Sequence, residues 1–208
     1  RTSKEIEKNY SFDGKRVLDL GCGDGRYSLY LASNLPVKFV MGIDPAESAI
    51  EMDNEKAKTL GLQGKVRFQS GDIYNLNFNE RFDCIILRGV LHHLPDPELA
   101  LKKAALLDAD TLIIVEPNGW NPVLKILERF SPYHVEHGEK SFLPGTIIRW
   151  LKNASCTITY NTYVNLVPMF CPDWMAKICK TCEPLAEMLP IVRNICCGQF
   201  IVIAQKIR

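Results

Sequence analysis

The stretch Val17-Leu18-Asp19-Leu20-Gly21-Cys22-Gly23-Asp24-Gly25-Arg26 sets the architecture of this chain. An apolar, strand-like run enters three glycines at alternate positions, and a helical pattern, Tyr27–Asn34, follows directly. Glycines at such a junction let the backbone turn sharply and approach a ligand with no Cβ in the way. The helix behind them offers free N–H groups and the positive end of its dipole to a ligand's polar end. The spacing here is Gly-x-Gly-x-Gly. A dinucleotide fingerprint is Gly-x-Gly-x-x-Gly, and Arg26 stands where its third glycine belongs. A loop with no pyrophosphate to cradle suits a nucleoside bearing an amino-acid tail.

Outward from that loop, short apolar runs alternate with helical patterns. The runs are Arg16–Leu20, Lys38–Ile43, Lys65–Gln69, Phe82–Leu87 and Thr111–Val115, and further helices are expected over Ala46–Leu60 and Pro97–Leu107. The runs are rich in Val, Ile and Leu without strict polar alternation, as parallel strands covered on both faces are. Such alternation implies βαβ units in an α/β, doubly wound, Rossmann-like sheet. The last third changes character. A helix is expected over Gly145–Asn153, then strands over Cys156–Val164 and Gln199–Lys206, a late pair that reads as an antiparallel addition to the sheet edge. Between these strands Pro168–Gly198 is far longer than a hairpin loop. Phe170, Trp174, Ile178, Cys182, Leu185, Leu189 and Val192 recur there every three or four positions, forming one apolar helical face that Pro184 and Pro190 divide. The expectation is a single domain over residues 1–208, with a seven-stranded, mostly parallel sheet, an antiparallel last strand and a helical insert before it.

Two acidic signals follow the glycine loop. Gly42-Ile43-Asp44 ends the second strand, where a carboxylate can accept from both ribose hydroxyls. Ser70-Gly71-Asp72-Ile73 follows the third, where a carboxylate can take an adenine amino group and Ile73 can pack on the ring. Each Asp alone reads better as a loop cap. Three signals at consecutive strand C-termini, where doubly wound sheets bind ligands, favour the ligand.

On these residues the chain resembles a class I S-adenosylmethionine (SAM)-dependent methyltransferase of the small-molecule type. The likeness runs from Phe12 to Val115, about half the chain. It takes in Leu18–Gly25, Asp44, Gly71-Asp72 and Phe82-Asp83-Cys84-Ile85-Ile86-Leu87-Arg88-Gly89-Val90-Leu91-His92-His93-Leu94. The resemblance implies that Gly21 and Gly23, within a loop completed by Cys22 and Gly25, contact the methionine portion of SAM. Asp44 then holds the ribose, Asp72 and Ile73 hold adenine, and Arg88 lies beside the methionine moiety. His92 and His93 open the helix after the fourth strand, and His93 is counted with the cofactor residues. SAM's positive sulfur favours a nearby carboxylate, for which Asp19 is the candidate. The product left after transfer is S-adenosylhomocysteine (SAH).

The acceptor side is expected in Glu116-Pro117-Asn118-Gly119-Trp120-Asn121-Pro122, in an amphipathic helix over Val123–Phe130, and in Tyr133–Glu139. Glu116, Asn118, His134 and His137 are the residues expected to meet an acceptor. The two histidines are the candidates for removing a proton near neutral pH. As plain solvated loop residues they would leave the reaction intact, because methyl transfer to a good nucleophile needs little beyond alignment. The Pro168–Gly198 insert reads either as core packing on the sheet edge or as a lid that delivers a lipophilic acceptor. The lid is preferred. A membrane-surface role gains nothing from its charges, since Asp173, Lys177, Lys180, Glu183, Glu187 and Arg193 cancel.

Eight cysteines are too sparse for a disulfide scaffold. Cys179-Lys180-Thr181-Cys182 has zinc-like spacing, with Cys171, Cys196 and Cys197 near in sequence, but an adjacent pair closes a tetrahedron awkwardly. Cys179 and Cys182 share a helical face with Trp174 and Ile178 and read as small core hydrophobes, so no metal is expected. A formal charge of +1 gives no general pull toward nucleic acid. No apolar stretch is long enough to span a bilayer and no signal peptide opens the chain, so a reduced, cytoplasmic protein is expected, its start at Arg1 suggesting a trimmed N-terminus. These features together predict methyl transfer from SAM to an O, N or C nucleophile of a small, lipophilic acceptor. The rivals are an RNA or protein methyltransferase on the same scaffold, a non-catalytic SAM-binding module, and a metal-stabilised redox or interaction protein. Against the first, no Asn/Asp-Pro-Pro-aromatic tetrapeptide follows the fourth strand.

Overall fold

The computed structural model describes residues 1–76, 80–130, 140–166, 180–181 and 188–207, Leu127 by its backbone alone. Its strands are β1 (Arg16–Leu20), β2 (Phe39–Asp44), β3 (Val66–Ser70), β4 (Phe82–Arg88), β5 (Ala109–Pro117), β6 (Cys156–Val164) and β7 (Gln199–Lys206). They form one sheet in the order β3-β2-β1-β4-β5-β7-β6. β1 to β5 pair in parallel, and β7 runs antiparallel to both β5 and β6. The doubly wound, Rossmann-like sheet expected from the alternation is therefore present. Its strand order reverses between β1 and β4, the position at which open α/β sheets bind ligands.

The described helices are α1 (Thr2–Asn9), α2 (Arg26–Asn34), α3 (Glu47–Thr59), α4 (Pro97–Leu106), α5 (Pro122–Phe130), α6 (Pro144–Asn153) and α7 (Pro190–Cys196). On one face of the sheet Leu18, Leu20, Ile85, Leu87, Leu112 and Ile114 pack with Ala100, Leu101 and Ala104 of α4 and Ile147 and Leu151 of α6. On the other, Val17, Val40, Ile86 and Ile113 pack with Ile6 of α1, Leu31 of α2 and Ile50 and Ala57 of α3. Neighbours such as Ile85 and Ile86 thus serve opposite layers, which is why the central strands show no polar alternation. Each such aliphatic side chain contributes about 1.5–3 kcal/mol on burial.

Two boundaries differ from the local pattern. β5 is longer than Thr111–Val115 because Ala109 pairs with Phe82 of β4 at one end and, at the other, β7 pairs along it as far as Pro117↔Gln199, a partner more than 80 residues away in sequence. After β4 the chain makes one 3-10 turn, Leu91–His93, and α4 begins only at Pro97, capped by Asp96, whose carboxylate accepts the Leu99 N–H at 3.0 Å. His92 and His93 therefore precede the helix instead of opening it. Pro95 and Pro97 block a continuous helix across this junction. No helix among the described residues is long and apolar enough to cross a membrane.

Candidate active site

Register alignment sets Leu20 beside Leu87 and Leu87 beside Ile114, so the loops after β1, β4 and β5 leave the sheet side by side. In the first of them Gly21, Gly23 and Gly25 all have positive φ, at 74°, 56° and 68°. The Gly21 and Cys22 N–H groups both donate to the Ile43 carbonyl of β2, at 2.7 and 3.0 Å. These backbone donors hold the loop onto β2. Asp44 completes the junction. Its Oδ2 accepts the Gly23 N–H at 2.9 Å, its Oδ1 accepts the Ala46 N–H at 3.0 Å, and its carbonyl accepts the Gly71 N–H at 3.1 Å. A Cβ on Gly21 would fall 2.5 Å from Val90 Cγ2, whereas one on Gly23 would meet nothing within 4 Å. The loop is closed behind and open in front.

A cavity of about 250 Å³ adjoins the loop, lined by Asp19, Gly21, Cys22, Asp24, Arg26, Tyr27 and Arg88. Asp19 is buried and accepts the Ser28 hydroxyl at 2.6 Å. Burial pushes its carboxyl up to about 6; the Ser28 bond and the Arg88 guanidinium pull it back, and Asp44 adds to the rise. Arg88 stacks over Tyr27, with 4.6 Å from its guanidinium carbon to the ring centroid. Tyr27 Oη is buried and has no hydrogen-bond partner among the described residues. Burial also pushes the Cys22 thiol well up, so this cysteine lines the loop as a neutral thiol. The cavity thus offers one acid and one cation, with Tyr27 in its wall.

The raised Asp19 value has a consequence for stability. The folded state keeps this proton to higher pH than the unfolded chain, whose carboxylate titrates near ~4. Asp19 therefore contributes stability that is complete below that pH and is lost as the pH rises through about 6. Asp19→Asn should raise the melting temperature of the ligand-free protein at pH 7–8, by a free energy on the order of 3 kcal/mol at most. The advantage should vanish on acidification to pH 4. An advantage that persists there would dissociate it from the Asp19 charge.

The structure brings Asp19, Gly21, Cys22 and Arg88 together around the cavity and ties Gly23, Gly25 and Asp44 to the same loop. Asp72 caps its own turn, accepting from Tyr74 N–H at 3.0 Å and Asn75 Nδ2 at 3.1 Å. Ile73 is buried in the same apolar layer as Leu20 and Ile43. His93 is exposed, its ring 4.0 Å from that of His92. Asp24, Arg26 and Tyr27 line the cavity without having been singled out. Their place in the first turn after the glycines was the available signal.

On the acceptor side two expectations are corrected. Glu116 does not face an open pocket but is 1% exposed. Its Oε1 accepts the Val90 and Leu91 N–H groups, both at 2.8 Å, and its Oε2 lies 2.7 Å from His92 Nδ1. Asn118 is fully buried, donating to the Asn194 and Cys197 carbonyls at 2.8 Å each and accepting the Trp120 N–H at 3.1 Å. Asn121 beside it donates to Cys196 at 2.9 Å and caps α5 through the Val123 N–H. The pairing of β5 with β7 brings the 194–198 backbone within reach of these amides, which is why they turn inward. They hold α7 against the loop after β5. His134, His137 and residues 167–179 and 182–187 of the insert lie outside the described residues, as do Cys171, Cys179 and Cys182. Among the described residues no group of three His, Cys, Asp or Glu is placed to hold a metal ion.

The sheet order, the glycine loop and the switch-point cavity are those of a class I, SAM-dependent methyltransferase fold. The chain belongs to the methyltransferase domain family, whose model matches residues 11–189. It is 37% identical over 105 residues to the ubiquinone biosynthesis O-methyltransferase of Coxiella burnetii, which covers 50% of this chain and 43% of that protein. It is 30% identical over 185 residues to the probable (S)-tetrahydroprotoberberine N-methyltransferase 2 of Papaver bracteatum, 85% of this chain and 51% of that one. The chain thus spans about half the length of these relatives, or less. Among solved structures, the YcgJ protein of Bacillus subtilis matches with a TM-score of 0.70 at 19% identity, over 99% of this chain and 97% of that one. Magnesium protoporphyrin IX methyltransferase of Synechocystis PCC 6803, solved with bound SAH, matches with a TM-score of 0.69 at 18% identity, over 99% and 80%. At these identities the solved structures establish the fold.

Proposed function

We propose that the chain binds SAM and transfers its methyl group to an O or N nucleophile of a small, lipophilic acceptor. The observation that carries the cofactor reading is the cavity in which buried Asp19 and cationic Arg88 meet the backbone of Gly21 and Cys22. A zwitterionic amino-acid tail fits this set: Arg88 is suited to its carboxylate and Asp19 to its positive groups. Asp44, exchanging its bonds to Gly23 and Ala46, is suited to a pair of ribose hydroxyls. When bound, SAM supplies a methyl group made electrophilic by its positive sulfur. The protein's part is to hold the tail, keep a carboxylate close to the sulfonium and align the acceptor.

The lipophilic acceptor is inferred from α5 and its neighbour. Trp120, Val123, Ile126 and Phe130 are exposed, Phe130 to 72%, and Ile191 and Ile195 of α7 are exposed beside the loop that Asn118 and Asn121 fasten. Apolar surface gathered in this way marks a binding face. The two relatives are named as an O- and an N-methyltransferase, and both nucleophiles remain in the proposal.

Thermal unfolding with SAM tests the cofactor half. At a hundredfold excess over the dissociation constant the stabilisation should be about 2.7 kcal/mol. Asp44→Ala should remove it, and the absence of any shift with SAM or SAH would sink the proposal. Tritiated SAM offered with lipid and aqueous extracts tests the acceptor half: the label should enter the organic phase, and an exclusively aqueous product overturns the lipophilic reading.

A further inference from the structure

We infer that His92 is the general base of this transfer and that Glu116 is its positioning residue, an inference that rests on the methyltransferase reading above. Glu116 sits near the end of β5 with its side chain wholly withdrawn from water. A lone buried carboxylate is costly, so its bonds define its task. One oxygen takes the Val90 and Leu91 N–H groups and so fixes the turn after β4. The other lies 2.7 Å from His92 Nδ1. That contact keeps the imidazole proton on Nδ1 and leaves the lone pair on Nε2, the arrangement of a ring held ready to accept a proton.

The turn that carries His92 borders the cofactor loop. Val90 packs so close to Gly21 that a Cβ there would be 2.5 Å from Val90 Cγ2, and Arg88, four residues before His92, lines the cavity. Gly89, whose φ of +69° favours glycine, lies beside the ring: a Cβ there would be 3.7 Å from His92 Cε1, the carbon between Nδ1 and Nε2. The His92 side chain is 12% exposed: reachable, but largely shielded.

In the step assigned to it, His92 Nε2 takes the O–H or N–H proton of the acceptor as the acceptor atom bonds to the methyl carbon. The carbon–sulfur bond breaks with its electron pair staying on sulfur. One positive charge is present before, on sulfur, and one after, on the imidazolium. Glu116 stabilises that imidazolium from 2.7 Å.

Spectroscopic and kinetic measurements on the whole chain test this. Nitrogen-15 NMR of the wild type should show His92 protonated at Nδ1 and bare at Nε2; the opposite tautomer overturns the inference, with or without any variant. Glu116→Gln keeps an oxygen for the Val90 and Leu91 N–H groups but turns an NH₂ toward Nδ1, so the proton should move to Nε2. Initial rates with tritiated SAM and pooled lipid and aqueous extracts should then fall ~100-fold or more for Glu116→Gln and His92→Gln, the range of a lost base. The half-saturating extract concentration and the calorimetric SAM affinity should change little. Added imidazole should restore part of the rate to His92→Ala. A His92 variant within threefold of the wild-type rate overturns the inference. A wild type that fails to bind SAM or to label either extract refutes the methyltransferase reading instead, so the two failures are distinguishable.

Discussion

Gly25→Ala is expected to lose SAM binding and about 3 kcal/mol of stability, far more than the same change at Gly23. Both glycines have positive φ, 68° and 56°, so alanine carries a backbone cost of about 1–2 kcal/mol at either. What separates them is space. A Cβ on Gly25 would stand 2.6 Å from both Cγ and Oδ2 of Asp53 and 3.0 Å from Phe68 Cε1, while one on Gly23 meets nothing within 4 Å. Asp53 cannot retreat freely. It is fully buried on α3, its Oδ1 holds Lys56 Nζ at 2.7 Å, and the same ammonium donates to the Asp24 carbonyl at 3.2 Å. Lys56 is 46% exposed, so the ion pair itself is worth little; the clamp matters because it fixes Asp24, which lines the cavity, between Gly23 and Gly25. Displacing Asp53 loosens that clamp and reshapes the front of the loop. Denaturant unfolding and SAM calorimetry on the two variants check this, and indistinguishable variants would refute the Asp53 argument.

The parts of this molecule that were legible in sequence are those set by local pattern. β1, β2 and β4 declare themselves because both faces are buried, which leaves mostly apolar runs, and the glycine loop because its missing side chains are the signal. β5 was read short at its end because Glu116 and Pro117 are held in the sheet by β7, and no local window contains that partner. The same pairing explains Glu116 and Asn118. A polar side chain in a loop after a strand reads as solvent-facing, yet one caps the turn after β4 and the other fastens the 194–197 backbone. Asp72 shows the converse, a carboxylate whose bonds in the structure are those of an ordinary turn cap. His92 was visible only as the first of a His-His pair opening a helix, because the residue that orients it lies 24 positions away on the next strand.

Asn118→Asp is expected to cost about 3–5 kcal/mol, the size associated with a buried charge facing the wrong partners. The native amide directs both its N–H bonds at carbonyls, Asn194 and Cys197, while its oxygen takes the Trp120 N–H. Aspartate keeps only the last of these and presents an oxygen to two oxygens in a site with no exposure. Alanine is the milder change, since it leaves two carbonyls unsatisfied without adding charge, and should cost about 2–3 kcal/mol. Asn121 shares the Cys197 carbonyl at 3.3 Å and so blunts the alanine effect but not the charge. The damage should begin locally. Hydrogen exchange at Gly198, whose N–H bonds Asn165 and whose carbonyl accepts the Asn118 N–H, should accelerate before the central strands respond. Because the glycine loop stands on the far side of β4, SAM affinity should hold in the folded fraction. Transfer to the lipophilic acceptor proposed above should fall as α7 parts from the loop after β5. Acid should narrow the gap to the wild type by protonating the introduced carboxyl. An aspartate variant within 1 kcal/mol of the wild type at neutral pH would mean that this amide is not what fastens α7 to the sheet.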